Sequence, residues 1–296
     1  MIVYTTCPNC GDTNISKALS AKDYTVSEED FEIWECKNCS LRFTQNVPDQ
    51  ANIGKYYHSE NYISHSDTSK GLINTLYHKV RKRTLIQKRN LVEKSTGKKA
   101  GNILDVGAGT GAFLNTMKNA NWNCTGIEPD NTARDKALEL YNIHLNEAGK
   151  LYSLPSESFD VITLWHVLEH VHVLHNYVDQ LKKLLSTEGK LFIAVPNYTS
   201  GDAQIYDQFW AAYDVPRHLY HFSPKAMTDL LNRHGLKLET MKPMWFDSVY
   251  VSMLSEKCKT GDSHPLRALI NGMVSNLETI SDKTKCSSLI YIASRK

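Results

Sequence analysis

Asn102-Ile103-Leu104-Asp105-Val106-Gly107-Ala108-Gly109-Thr110-Gly111-Ala112-Phe113-Leu114 decides the fold of this chain. The run into Val106 reads as a buried strand. Gly107, Gly109 and Gly111 follow, and a helix opens at Ala112. Glycine lets backbone N–H groups approach a ligand that a Cβ would block. The new helix adds unpaired N–H groups and the positive end of its dipole. Such a turn, at the carboxyl end of a central parallel strand, cradles the polar part of a nucleotide-like cofactor. Glycine spacing alone leaves the cofactor open, because Gly107, Gly109 and Ala112 also fit the dinucleotide pattern G-x-G-x-x-G/A.

Two acids narrow the choice. Asp105 lies inside the strand, where a carboxylate can order the loop and reach a cationic ligand. Glu128, in Gly126-Ile127-Glu128-Pro129-Asp130, ends the next candidate strand and is placed to take both hydroxyls of a ribose. An acid there also suits NAD. Leu104 to Gly111 resembles the first motif of class I S-adenosylmethionine (SAM) methyltransferases, and Glu128 resembles their ribose-binding acid. Phe159-Asp160-Val161-Ile162, running on to Val167-Leu168-Glu169-His170-Val171, is similar to their fourth strand and the loop after it. The resemblance covers roughly residues 100 to 240. It implies a SAM site at Asp105, Gly107, Ala108, Gly109, Gly111, Phe113, Glu128, Pro129, Leu151, Trp165 and His166. Leu151 and Leu154 are expected to flank the adenine. These enzymes often bind the adenine amino group through an acid after strand three, and Asn146-Glu147 gives no clear match.

The chain has 296 residues, 41% of them hydrophobic, and a formal net charge of +2. That is enough for one large domain or two, without a bias toward nucleic acid. No apolar run of about eighteen residues predicts a membrane span. The start, Met1-Ile2-Val3-Tyr4-Thr5-Thr6-Cys7, lacks the regions of a signal peptide, so a cytoplasmic location is the default expectation.

Seven cysteines is an odd number, and four are paired by spacing. Cys7-Pro8-Asn9-Cys10 and Cys36-Lys37-Asn38-Cys39 are two C-x-x-C knuckles with twenty-five residues between them. Two knuckles complete a tetrahedral thiolate shell for structural zinc. A hairpin within Asp23 to Trp34 is expected between them. The reading is a zinc ribbon over residues 1–45, whose metal supplies folding energy. Residues 46–100 read as a linker and N-terminal helices covering the cofactor site. They include Tyr56, Tyr57, His58, Tyr62 and His65, then a helix from Ser69 to Lys94 with Leu72, Leu76 and Val80 apolar. Its basic run, Lys79, Arg81, Lys82, Arg83, Lys88 and Arg89, reads as a solvated face or a contact to an anionic substrate.

Residues 101–296 read as the methyltransferase domain. The expected fold is α/β: a Rossmann-like, seven-stranded, mostly parallel sheet with an antiparallel closing strand, plus the small ribbon. Expected strands are Asn123 to Glu128, Ile143 to Leu145, Phe159 to Trp165, Lys190 to Val195, Leu236 to Met241, Val249 to Leu254 and Ser288 to Ser294. Residues 260–284 read as an insertion in the last hairpin. The long connection Pro196 to Ser223 holds Trp210, Tyr213, Asp214, Arg217, His218 and His221, and reads as a lid or substrate pocket.

His166-x-x-Glu169-His170 follows strand four, and His218 or His221 approaches from the lid. His166, Glu169, His170 and His218 are the candidate catalytic residues, as a second divalent-ion site or as a general base without metal. The quinone-biosynthesis O-methyltransferases and small-RNA 2′-O-methyltransferases carry Glu-x-x-Glu-His here and a later His. His166 replaces their first Glu, which disfavours Mg²⁺ and leaves a softer ion, or none. Local packing of these histidines is the alternative. The leading function is O-methylation of a small-molecule, sugar or lipid-linked acceptor. RNA methylation with the ribbon as the grip, sugar C-methylation and a non-catalytic binding module stand beside it.

Overall fold

The computed structural model describes residues 1–57, 72–262 and 264–296, and side chains 72–81 fall outside the description. The expectations at His58, Tyr62, His65 and Ser69, and those for the side chains of Leu72, Leu76, Lys79, Val80 and Arg81, lie outside the described residues.

The N-terminal segment builds β1 (Ile15–Lys22), β2 (Asp30–Cys36) and β3 (Arg42–Thr44). β1 and β2 form a hairpin between the cysteine pairs, but it begins at Ile15 and not at Asp23, which lies in its turn. Its turn is tied by Asp23, whose carboxylate accepts the N–H groups of Thr25, Val26 and Ser27. A short 3₁₀ turn, Ile53–Tyr57, precedes α1 (Leu72–Thr96).

Alternation then begins: β4 (Asn102–Val106), α2 (Ala112–Lys118), β5 (Asn123–Ile127), α3 (Asn131–Tyr141), β6 (Phe159–Trp165), α4 (Leu174–Leu184) and β7 (Leu185–Pro196). The interiors of β4 and β6 are mostly buried and apolar, as in central parallel strands, with Asp105 and Thr163 the buried polar exceptions. Asp130 caps α3 by accepting the Ala133 N–H at 2.7 Å. The connection after β7 holds α5 (Gly201–Tyr206), two 3₁₀ turns and β8 (Tyr220–His221). Ser223 caps α6 (Pro224–Arg233), and Pro224 occupies its first turn. β9 (Leu236–Pro243), α7 (Asp247–Thr260), α8 (Pro265–Ser281) and β10 (Ser288–Arg295) complete the chain.

The large sheet has the order β5-β4-β6-β7-β10-β9 and is mostly parallel with an antiparallel edge. Among the described residues it has six strands, one fewer than the expected seven. Ile143 to Leu145 forms no strand: neighbouring Asn146 makes one isolated bridge to Ile127. Val249 to Leu254 is not a strand but the middle of α7. Its β-branched and aromatic side chains favour a strand locally, and tertiary packing overrides them. The expected 260–284 insertion is therefore part of a helix pair set between β9 and β10. The smaller sheet has the order β1-β2-β3-β8, so a strand from the long connection completes the cysteine-bearing module.

The chain divides into two compact units. One comprises Met1–Tyr62, His166–Val178 and Ile193–Ile292; the other comprises Ile63–Trp165, Asp179–Phe192 and Ala293–Lys296. Among the described residues, no helix is long and apolar enough to cross a membrane.

Candidate active site

The glycine loop belongs to the second unit. Gly107, Gly109 and Gly111 have φ of +71°, +54° and +76°, which other residues adopt only under strain. An added Cβ at Gly109 would point into open space, so a ligand has room to lie against that backbone. Gly111 is closed instead, with its Cβ position 3.1 Å from Ala137 Cβ. The N–H groups of Gly107 and Ala108 both go to Ile127 O, which pins the loop to the end of β5.

Asp105 is 1% exposed. Its Oδ1 accepts the Thr163 hydroxyl at 2.6 Å, from β6 to β4. Burial pushes its carboxyl up to about 7, against the Thr163 hydrogen bond and the Lys88 charge. A cationic ligand would favour its ionised form. Glu128 Oε2 accepts the Gly109 N–H at 2.7 Å, and Oε1 accepts the Asp130 N–H at 3.0 Å. Burial raises the pKa of Glu128 also. Each of its oxygens keeps a second lone pair, the form needed to receive ribose hydroxyls. The loop and its two acids fit SAM.

Around them, Phe113 meets Trp165 edge-to-face at 5.4 Å, and Lys88 Nζ stands 4.2 Å over the Trp165 ring. The indole Nε1 of Trp165 is buried without a hydrogen-bond partner among the described residues. Leu151 is buried, and its carbonyl accepts from Gln180. Pro129 O accepts from Arg134 at 2.8 Å. The Asn146 amide is spent on Gly126 O. Within the basic run, Arg89 lies 3.6 Å from Glu93.

The histidines belong to the first unit. Glu169, His170 and His218 bring one ligand atom each to within 4.8 Å of one another. His170 Nδ1 is 3.0 Å from Arg217 O and 3.0 Å from the Tyr57 hydroxyl. His218 Nδ1 is 2.9 Å from Ala212 O. Carbonyl partners at both Nδ1 atoms orient the two rings, as outer carbonyls orient metal-binding imidazoles, and His218 Nε2 lies 3.8 Å from Asp214 Oδ2. Burial and the neighbouring His218 lower His170 to about 4, so it is neutral. Glu169 is fully buried, and neither of its oxygens has a hydrogen-bond partner among the described residues. Burial opposes its ionisation, but the surrounding imidazoles, His166 first, hold its pKa below the usual value.

His166 is not in this group. Its Nδ1 lies 3.5 Å from Glu169 Oε1 and its Nε2 3.3 Å from Asp247 Oδ2. Burial works against its charge, but Asp247 and then Glu169 outweigh it and lift its pKa to about 9. His221 also stands apart. It bonds Thr44 Oγ1 at 3.1 Å and meets Tyr213 edge-on, as a buried neutral ring.

The four sulfurs of Cys7, Cys10, Cys36 and Cys39 gather within 4.8 Å, with Cys7–Cys39 and Cys10–Cys36 each at 3.5 Å. A tetrahedron of ~2.3 Å zinc–sulfur bonds has edges of about 3.8 Å, so the cage fits zinc. The knuckles share one design: Gly11 N–H bonds Cys7 O, Ser40 N–H bonds Cys36 O, and Gly11 and Ser40 both have positive φ.

A family described as methyltransferase domain matches residues 77–241, more than half of the chain. The chain belongs to that family. Over 122 residues this methyltransferase is 30% identical to the ubiquinone biosynthesis O-methyltransferase of Actinobacillus pleuropneumoniae, spanning 36% of this chain and 50% of that one. It is 27% identical over 164 residues to the mitochondrial ubiquinone biosynthesis O-methyltransferase of Bos taurus, spanning 49% and 44%. The chain spans about half the length of the curated relatives it matches. In fold it is similar to the magnesium protoporphyrin IX methyltransferase of Synechocystis PCC 6803, solved with bound SAH. The TM-score is 0.54 at 12% identity, over 84% of this chain and 100% of that one. The fold is that of the class I SAM-dependent methyltransferases.

Sequence reading of the methyltransferase missed Asp247 as the partner of His166. Nothing local marks it, because it falls between the expected strands Leu236 to Met241 and Val249 to Leu254. It also missed the environment of Arg217, which is 1% exposed. Its guanidinium reaches Asp23 Oδ1 at 3.0 Å, Asp214 Oδ1 at 2.6 Å and Tyr56 O at 2.8 Å. Asp-x-x-Arg-His, Asp214 to His218, was the available signal: it puts a carboxylate three residues before the arginine and His218 one after.

Proposed function

We propose that this methyltransferase transfers a methyl group from SAM to a hydroxyl of a small-molecule, sugar or lipid-linked acceptor. The carrying observation is the buried carboxylate of Glu169, with no hydrogen bond to either oxygen among the described residues, grouped with His170 and His218 so that one ligand atom of each lies within 4.8 Å of the others. One carboxylate and two imidazoles suit a divalent cation of intermediate softness. An ion there would lower the pKa of a coordinated hydroxyl. The names of the relatives at about 30% identity support an oxygen acceptor.

The remaining roles fall to this chain's own side chains. Asp105 and Glu128 would bind the cationic and ribose parts of SAM, whose sulfonium supplies the methyl group. Phe113, Leu151 and Trp165 would line the cofactor. His166, held by Glu169 and Asp247, positions the Glu169 carboxylate. Cys7, Cys10, Cys36 and Cys39 would hold a structural zinc.

The test incubates the full chain with methyl-labelled SAM, a divalent ion and panels of phenols, sugar nucleotides and polyprenyl-linked sugars. Label in a methyl ether supports the reading. Label on carbon, on nitrogen or in added RNA overturns the oxygen acceptor. Tight NAD binding without SAM binding overturns the cofactor.

A further inference from the structure

α7 and α8 are turned inside out for helices surrounded by water. On α7 they bury Ser248, Ser252 and Ser255, with Val251 the one large apolar exception. On α8 they bury Ala268, Gly272, Ser275 and Thr279. Large apolar side chains of both helices are exposed instead. Leu266, Ile270, Met273, Leu277 and Ile280 on α8 are between 56% and 76% exposed. Trp245, Phe246, Tyr250, Met253 and Leu254, on α7 and its approach, are between 40% and 47% exposed. A helix of a soluble domain buries its apolar stripe and exposes its polar one.

The inward face is fixed by hydrogen bonds. Ser275 Oγ donates to Asp202 Oδ1 at 3.0 Å, the Tyr206 hydroxyl donates to Glu256 Oε1 at 3.0 Å, and Ala211 N–H donates to Ser255 Oγ at 2.9 Å. The two helices meet through small residues. A Cβ on Gly272 would lie 2.8 Å from Val249 Cα. Close approach through small residues, with large apolar groups facing outward, is how helices pack in an apolar solvent.

We propose that this face rests on a lipid bilayer, with α7 and α8 lying in the plane between headgroups and acyl chains. Three observations select a bilayer. First, between Leu269 and Leu277 every exposed side chain is apolar. A protein partner would normally find hydrogen-bonding groups on such a face, about one per 100–200 Å². Second, exposed cations flank it, Lys242, Lys257, Lys259, Arg267 and Lys283, and outnumber the exposed acids Asp262, Glu278 and Asp282 of residues 242–285. That balance, with Trp245 and Tyr250 beside it, suits anionic headgroups. Third, the helices have 14 and 17 residues, short of the ~20 needed to cross a bilayer, so they lie on it. The apolar arc covers both helices and is broader than the seam of a two-helix coiled coil.

This surface is independent of which acceptor is methylated. The test is flotation of the full chain with vesicles of phosphatidylcholine containing phosphatidylglycerol. The chain should float with them, and Trp245 emission should shift to the blue. Ile270→Glu with Leu277→Glu should lower vesicle binding more than tenfold and leave SAM binding and the melting temperature unchanged. Lys257→Glu with Lys259→Glu should weaken binding to the anionic vesicles alone. Failure of the parent chain to float overturns the proposal. A dimer in sedimentation equilibrium that the Ile270→Glu, Leu277→Glu variant disperses, without vesicle binding, would assign the face to a second copy instead.

Discussion

Thr163 donates its hydroxyl proton to Asp105 Oδ1 across 2.6 Å, and both side chains are fully enclosed between neighbouring strands. This bond favours the ionised carboxylate against burial, which holds the pKa at about 7. SAM affinity should therefore fall as pH drops below about 7, because its positive charge needs the carboxylate. Thr163→Val should move that midpoint upward. The stability of the ligand-free chain has the opposite sense. The folded pKa lies above the unfolded value of ~3.9, so the contribution is full below about pH 4 and is lost as pH rises through 7. Asp105→Asn should flatten that dependence in denaturant melts and abolish SAM binding in calorimetry.

Arg217 is a buried cation shared by two carboxylates and a carbonyl. Arg217→Ala leaves the buried Asp23 charge without it and should cost about 3–5 kcal/mol in denaturant unfolding. Arg217→Lys should recover only part, because an ammonium cannot span Asp23 and Asp214 with a planar fork. Burial opposes the charge of Asp23, but Arg217 outweighs it and lowers its pKa. Its stabilising contribution should be present at neutral pH, fade as pH falls below about 4, and shrink in the Ala variant, where the turn N–H groups still favour the carboxylate.

The cysteine cage should carry one zinc per chain. Cys39→Ser should lose it in metal analysis and open residues 1–45 to protease. Because β3 pairs with β8, cleavage should also appear near Tyr220. A metal-free chain with a resistant N-terminus would remove zinc from the account.

Glu169→Gln and His218→Ala should each abolish binding of a second divalent ion while the cysteine zinc remains. Turnover should fall by about 10²- to 10⁴-fold, the range for loss of assisted proton removal, with SAM affinity little changed. Full turnover in both variants on the true acceptor would make the cluster structural.

What the sequence disclosed is what short-range rules govern. The glycine spacing after β4, the acid ending the next strand and the two cysteine knuckles are local devices with local causes. Asp23 and Arg217 are 194 residues apart, and no window joins them. Val249 to Leu254 misled for a physical reason. Strand propensity measures a fit to a half-buried pleat, whereas here Tyr250, Met253 and Leu254 face outward from a helix with serines beneath it. The histidine cluster was visible as a set of residue types. Its division was not: His166 pairs with Asp247, and His218 instead of His221 reaches Glu169, which depends on the fold of residues 207–221.

The pairing of Phe43 with Tyr220 and of Arg42 with His221 has a temporal side. β1 and β2 are adjacent in the chain and can close as soon as they are synthesised. β3 then presents a bare strand edge until Tyr220, 176 residues beyond Thr44, has been made. An unpaired edge is a template for another chain, so the interval between Thr44 and Tyr220 is when this polypeptide is most open to mispairing on the ribosome. Slowing translation between those positions should raise aggregation, and supplying β8 early, by circular permutation, should lower it.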